Sequence, residues 1–251
     1  MELARRVAIE NRDRKDIYEH VERRGSVPAE DVRQELGFEP AAFGHHLAVL
    51  RRDGYVRKVG DELEIAFDTD AGTVHESDRS RFTIRTARQA DLTGLVGAIR
   101  QVAKDGSYIE AETVADLLDY EEIILRNNEV ESRMFFVATV EDQVVGWVHL
   151  ELPETDKLKH TARLTVGVLE EYRGRGIGET LLRKGTSWAR EHGFEKLYNS
   201  VPATNTDAVS FLEAHGWTRE ATRKDHYRID GEYVDEVMMA ASIASPDGDQ
   251  S

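Results

Sequence analysis

The stretch that most constrains this chain runs from Leu164 to Trp188. Leu164, Val166 and Val168 alternate with Thr165 and Gly167, the two-residue period of a strand with one buried face. Arg173-Gly174-Arg175-Gly176-Ile177-Gly178 follows, and then Leu181, Leu182, Gly185 and Trp188 recur at helical spacing. The segment reads as strand, basic glycine-rich turn, helix. Glycines let a ligand approach the main chain with no side chain in the way. The first N–H groups of a helix lack intrahelical acceptors and sit at the positive end of its dipole. Such a turn suits a pyrophosphate.

Spacing separates the candidates. The P-loop string Gly-x-x-x-x-Gly-Lys-[Ser/Thr] does not occur, and the dinucleotide pattern Gly-x-Gly-x-x-Gly starts at Gly174 and Gly176 but meets Glu179 at its third glycine. What fits is Arg-x-x-Gly-x-Gly on Arg173, Gly176 and Gly178, preceded by Tyr172. With its strand and helix, this resembles the acyl-CoA pyrophosphate loop of the GNAT family of N-acetyltransferases.

Composition narrows the class. With 251 residues the chain has length for one large or two small domains. Its formal net charge of −15 and scarcity of lysine resemble a halophilic protein kept soluble by carboxylates, so the charge says little about partners. The absence of cysteine excludes disulfides and thiolate metal sites and agrees with a cytoplasmic protein. No apolar run reaches 18 residues, so no membrane span is expected, and Met1–Asn11 lacks a signal peptide's apolar stretch.

The first segment, 1–72, reads as three short helices and a hairpin. Ile17 and Val21 mark the first helix, ended by Gly25; Val27-Pro28 begins the second, with Val32 and Leu36; the third starts near Pro40 and carries Phe43, Leu47 and Leu50 to Gly54. Tyr55–Val59 and Leu63–Phe67 form strands around Gly60-Asp61. The order resembles a winged helix-turn-helix domain. That resemblance implies a third helix in the major groove, with His45, His46, Arg51 and Arg52 facing DNA and Arg57 and Lys58 on the wing. Acids outnumber bases over 1–70, so protein contact or dimerisation is the competing role. His45 and His46 are not read as a metal site, and no metal is expected. Residues 73–80 are polar and aperiodic and read as a linker.

From 81 to 243 the order is strand, two helices, a hairpin, the Leu164–Val168 strand, the basic turn and its helix, a strand, a helix and a last hairpin tipped by Asp230-Gly231. The second helical region is placed at Glu110–Asn127. Residues 244–251 read as a disordered tail. This order matches the GNAT fold throughout, closest to the branch that acetylates N-termini of ribosomal proteins. It implies an α/β (α+β) fold with a mixed, mostly antiparallel sheet flanked by helices, acetyl-CoA as co-substrate, and a protein or small-molecule amine as acceptor.

The resemblance also implies roles. Main-chain groups of Val166, Gly167 and Val168 would hold the pantetheine arm like an added strand. Arg173, Gly174, Arg175, Gly176, Ile177 and Gly178 would wrap the pyrophosphate, and Asn205, also a natural helix N-cap, would touch the pantetheine. Tyr108, Glu110, Glu112 and Glu232 fall where the family builds its acceptor groove. Two family groups are absent: Leu212 stands where a tyrosine acid is usual, and Ser200 where a glutamate base is frequent. Three readings stay open: Tyr227, His149 or Glu151 substitutes; the thiolate, with a thiol pKa of about 8.5, leaves without an acid; or the domain binds acyl-CoA without turnover. Asp225-His226-Tyr227, adjacent on a strand and alternating in direction, are not a hydrolase triad. The alternative function is an acyl-CoA-sensing transcription regulator with an inactive transferase domain. A homodimer is compatible with either.

Overall fold

The computed structural model describes residues 9–66, 72–77, 80–104, 108–128, 132–153 and 155–244. The tail assigned to 244–251 lies, beyond Ala244, outside them.

The N-terminal unit follows the order α1 (Arg12–Arg24), β1 (Val27–Pro28), α2 (Ala29–Glu35), α3 (Pro40–Arg52), β2 (Val56–Val59) and β3 (Glu62–Ile65). Its small sheet has the order β1-β3-β2 and is antiparallel. Asn11 caps α1 by accepting from the Arg14 N–H, and Gly25 closes it with φ 72°. Val27-Pro28, expected as the mouth of a helix, instead pairs with Leu63 and Glu62. A proline is tolerated there because β1 is an edge strand.

The larger unit is built on one sheet with the order β11-β12-β10-β9-β8-β7-β5-β4, with β6 paired to β7. Its strands are β4 (Thr73–Ser77), β5 (Ser80–Thr86), β6 (Arg126–Asn127), β7 (Ser132–Val140), β8 (Gln143–Leu152), β9 (Thr161–Val168), β10 (Lys196–Pro202), β11 (Thr218–Ile229) and β12 (Glu232–Ser242). The helices are α4 (Leu92–Ala103), α5 (Ile109–Glu121), α6 (Ile177–Glu191) and α7 (Thr206–Ala214). This is the α/β fold expected, with every pair antiparallel except β9–β10.

The linker assigned to 73–80 contains β4, which pairs with β5 from Thr73↔Ile84 to Ser77↔Ser80. Strand pairing satisfies the backbone whatever the side chains, so a polar edge strand carries no apolar alternation to betray it. The helix assigned to Glu110–Asn127 stops at Glu121, where Glu122 turns left-handed with φ 56°. Ile123, Ile124 and Leu125 continue as buried, non-helical chain into β6.

The units touch closely. The Tyr18 hydroxyl donates to the Asn127 carbonyl at 3.0 Å. Glu22, buried on α1, accepts from Arg126 Nη1 at 3.2 Å and Asn128 Nδ2 at 2.8 Å. Arg57, expected on a DNA-facing wing, is turned inward: it bonds the buried Glu64 at 2.7 Å and the Ala87 carbonyl at 3.3 Å. His46 faces Asp13 at 3.5 Å, and Arg52 and Lys58 pair with Asp53 and Asp61. His45 and Arg51 stay exposed on α3.

Candidate active site

The site begins where the parallel pair fails. β9 and β10 are in register only from Thr161↔Lys196 to Arg163↔Tyr198. Beyond that they diverge, while β9 stays paired to β8 up to Val168↔Gly146. The edge of β9 facing β10 therefore carries main-chain groups without a strand partner. Side chains meet some of them. Asn199 Nδ2 donates to the Leu164 carbonyl at 2.7 Å, the Val166 N–H donates to the Tyr108 hydroxyl at 3.4 Å, and Arg173 Nε donates to the Val168 carbonyl at 3.1 Å. Asn199 Nδ2 also lies 3.0 Å from the Tyr108 hydroxyl. A ligand with alternating amides can lie along such an edge as a strand does.

The basic turn closes one end of this gap. Arg173, Gly174, Arg175 and Gly176 are exposed. Gly174 and Gly176 have φ of 71° and 80°, and a Cβ on either would meet nothing within 4 Å. Glycine is needed there for its backbone conformation, not for space. Thr180 N–H bonds back to the Gly176 carbonyl, so the N–H groups of Ile177, Gly178 and Glu179 precede the first helical bond of α6. Arg175 stacks over Tyr172, 5.1 Å from the ring centre, and donates to the Glu171 carbonyl at 2.7 Å. Bare amides, a helix dipole and two guanidinium groups fit a diphosphate.

Gly167 is glycine for a different reason. A Cβ there would fall within 2.6 Å of Trp147 Cζ2, so the indole lies flat against the β9 main chain. Asn205 caps α7 by accepting from the Ala208 N–H at 3.1 Å. Leu212 is buried in the core and offers no proton.

The side of the sheet covered by α4 and α5 holds the titratable groups. His149 is 3% exposed, stacked on Phe135 with ring centres 4.4 Å apart, and its Nδ1 lies 3.3 Å from the Thr165 hydroxyl. Burial, with the nearby Arg133 and Arg163 charges, pulls its pKa down to about 3. It is a neutral core residue, enclosed instead of lining the open gap. Glu151 is exposed and reaches Arg163 at 3.4 Å. Arg163 also reaches Glu110, 3.5 Å away on α5, whose pKa is raised, chiefly by burial. Tyr227 is half-buried, and its hydroxyl donates to Glu236 Oε1 at 3.3 Å. Burial first, and then the Glu236 and Glu110 carboxylates, push the Tyr227 pKa well above the usual phenol value.

Sequence reasoning missed Asn199 and Glu236 and gave Tyr108 no definite role. Glu236 left one trace, an acid at the head of the apolar run Val237–Ala241. The alternating geometry expected for Asp225-His226-Tyr227 is also corrected. A bulge places two extra residues on β11 between Arg223↔Glu236 and Tyr227↔Val234, with Asp225 at φ 53°. His226 and Tyr227 both reach Glu236 as a result.

Strand order, splayed parallel pair and glycine-rich helix start together define an acyl-CoA-binding α/β fold. Residues 97–217 match the model of the acetyltransferase (GNAT) family. An N-alpha-acetyltransferase of Sulfurisphaera tokodaii is 30% identical over 173 residues, covering 64% of this chain and 93% of that one. An N-alpha-acetyltransferase of Saccharolobus solfataricus is 29% identical over 180 residues, 67% and 98% of the two chains. A Salmonella typhimurium acetyltransferase structure holding acetyl-CoA superposes with a TM-score of 0.53 at 18% identity, covering 67% of this chain and 99% of that one. The chain belongs to the GNAT acetyltransferase family and is an acetyl-CoA-dependent acyltransferase. Among the described residues, no helix is long and apolar enough to cross a membrane.

Proposed function

We propose that this protein transfers the acetyl group of acetyl-CoA to the α-amine of a polypeptide N-terminus. One observation carries the reading. The β9–β10 gap has the Arg173–Gly178 turn at one end and, on its α5 side, the carboxylates Glu110 and Glu151 beside Arg163. The first suits a diphosphate, and the second a cationic amine. Both archaeal relatives are named for α-amine acetylation.

Acetyl-CoA, when bound, supplies the activated acetyl carbonyl. The chain's part is to hold the pantetheine along Leu164–Val168, to seat the diphosphate on the amides of Gly174–Gly178, and to keep water from the thioester with Tyr108 and the α5 start. A main-chain N–H such as that of Val166 is the donor available to a carbonyl oxygen gaining negative charge. Asn205 serves as helix cap and borders the pantetheine.

The test is free-thiol release with acetyl-CoA and short peptides in molar potassium chloride. Peptides with a free N-terminus should be turned over, and the same peptides with a blocked N-terminus but a free lysine should not. Equal turnover of both would overturn the α-amine assignment. Tight acetyl-CoA binding with no turnover of any amine would favour the sensor alternative.

The N-terminal unit is proposed to be a winged-helix contact module. Its element order and β1-β3-β2 sheet support this, and His45, Arg51 and Arg52 on exposed α3 are its contact residues. Arg57 is left out because Glu64 holds it. Fluorescence anisotropy with a random duplex at two salt concentrations tests DNA contact; affinity that does not fall with salt would argue for a protein partner.

A further inference from the structure

The acceptor amine reaches this site with a proton to lose, and Ser200 and Leu212 cannot take it. We propose that Glu236 is the proton acceptor, a catalytic residue on β12 that the arriving ammonium contacts directly. The inference rests on the acetyltransferase reading above.

The β10–β12 register sets Met238 opposite Ser200 and Glu236 opposite Pro202. Directly opposed residues share a face, so Glu236 lies diagonal to Ser200, within reach of a long side chain. Arg163↔Tyr198 pairing puts that face on the side of Arg163 and Glu110. Glu236 thus stands across β10 from the gap, buried on the face that carries Arg163 and Glu110, and in this proposal the ammonium comes to it over β10.

Glu236 is 2% exposed, and a buried carboxylate is costly unless its oxygens are matched. Oε1 accepts from Tyr227, but Oε2 accepts no hydrogen bond among the described residues. Arg223 Nη1 stands 3.0 Å from Oε2 and His226 Nε2 3.6 Å, without hydrogen-bond alignment. Both cover it loosely, with side chains 53% and 40% exposed. The β11 bulge that brings them there holds Asp225 in a left-handed conformation, secured by its N–H on Asp235 Oδ1 at 2.9 Å. Oε2 is thus met by ion pairing with an exposed, displaceable guanidinium and by no aligned hydrogen bond, beneath a bulge that holds Asp225 left-handed.

Glu236 Oε2 takes one proton from the ammonium, with Arg223 displaced by that cation. The neutral nitrogen bonds the thioester carbonyl carbon, the carbon–sulfur bond breaks, and the nitrogen's second proton leaves with the thiol. Glu236 returns its proton to solvent. Charged and titratable groups facing Glu236 are Arg223, His226 and Tyr227 from β11 and Glu110 from α5; Pro202 on β10 has none.

The experiment compares wild type with Glu236→Gln, an isosteric change, across pH 6.5–9.5. The expected loss in kcat/KM for the peptide amine is about 100-fold or more near pH 7. The loss should shrink as pH rises past the amine's own pKa, near 8 for an α-amine, while acetyl-CoA Kd stays within about twofold. A pH-independent loss would mean a structural role and overturn the proposal, as would an undiminished rate. Should Glu236→Gln show no melting transition, Glu236→Asp is read instead: a base drawn back by one methylene should show the same pH-dependent defect with cofactor binding retained, and an unchanged rate or a flat loss would again overturn it. Inactive wild type would refute the acetyltransferase reading itself, a distinct outcome.

Discussion

Tyr108 and Asn199, 91 residues apart in sequence, meet inside the gap between β9 and β10, with the tyrosine hydroxyl 3.0 Å from Asn199 Nδ2. That hydroxyl also accepts from the Val166 N–H, a group proposed to serve the bound cofactor. Burial pushes the Tyr108 pKa up to about 12, so it remains a neutral phenol at working pH. Tyr108→Phe should cost the free protein about 1 kcal/mol, the net worth of a typical hydrogen bond. For a domain of this size that is a fall in Tm of roughly 2–4 °C. With saturating acetyl-CoA the gap from wild type should narrow, because a ligand acceptor takes over the Val166 N–H. Scanning calorimetry with and without cofactor decides it; an unchanged gap would mean that the cofactor never reaches Val166.

Substitutions in the basic turn should weaken the cofactor and spare the amine. Gly176→Ala forces an L-residue to φ near 80°, at about 1–2 kcal/mol of backbone strain. Arg173→Ala removes a guanidinium and its bond to the Val168 carbonyl. Each should raise the acetyl-CoA KM on the order of tenfold with little change in the amine KM. Initial-rate kinetics with both substrates varied would show it, and a cofactor KM within twofold of wild type for both variants would refute the diphosphate assignment.

His149 gives the stability a pH slope. Its folded pKa is about 3, below the ordinary 6.5, so from pH 6.5 downward the unfolded chain binds a proton that the folded one refuses. Stability should therefore fall as pH drops through this window and be unaffected by His149 above it. The slope is up to about 1.4 kcal/mol per pH unit. His149→Phe, which keeps an aromatic ring on Phe135, should flatten that part of a urea-midpoint profile. A slope identical to wild type between pH 6.5 and 4.5 would show that the imidazole is not shielded.

The contact between units turns on Glu22. Glu22→Ala removes the carboxylate that Arg126 and Asn128 share, although Arg126 keeps Glu121 at 3.1 Å. Breaking a buried pair from one side costs about 3–5 kcal/mol, and the retained Glu121 bond puts this case at the low end. Urea unfolding should show the loss, and limited proteolysis should cut between the units sooner. Unchanged values on both would mean that α1 rests on apolar contacts alone.

What the sequence determined was local. Strand Leu164–Val168, the Arg173–Gly178 turn and helix α6 are contiguous, so period and glycine placement specify them without help from elsewhere. Asp230-Gly231 marks the β11–β12 turn for the same reason, with φ of 50° and 89°. The family resemblance followed from these neighbouring signals. Tertiary structure decided the rest. β4 became a strand because β5 offered it hydrogen bonds, and Arg57 became an inward ion pair because Glu64 was buried beside it. Tyr108, Asn199, Tyr227 and Glu236 come from α5's entrance and three different strands. Tyr108 meets Asn199 where one parallel pair diverges, and Tyr227 meets Glu236 across a two-residue bulge; neither feature leaves a periodic mark in a single chain segment.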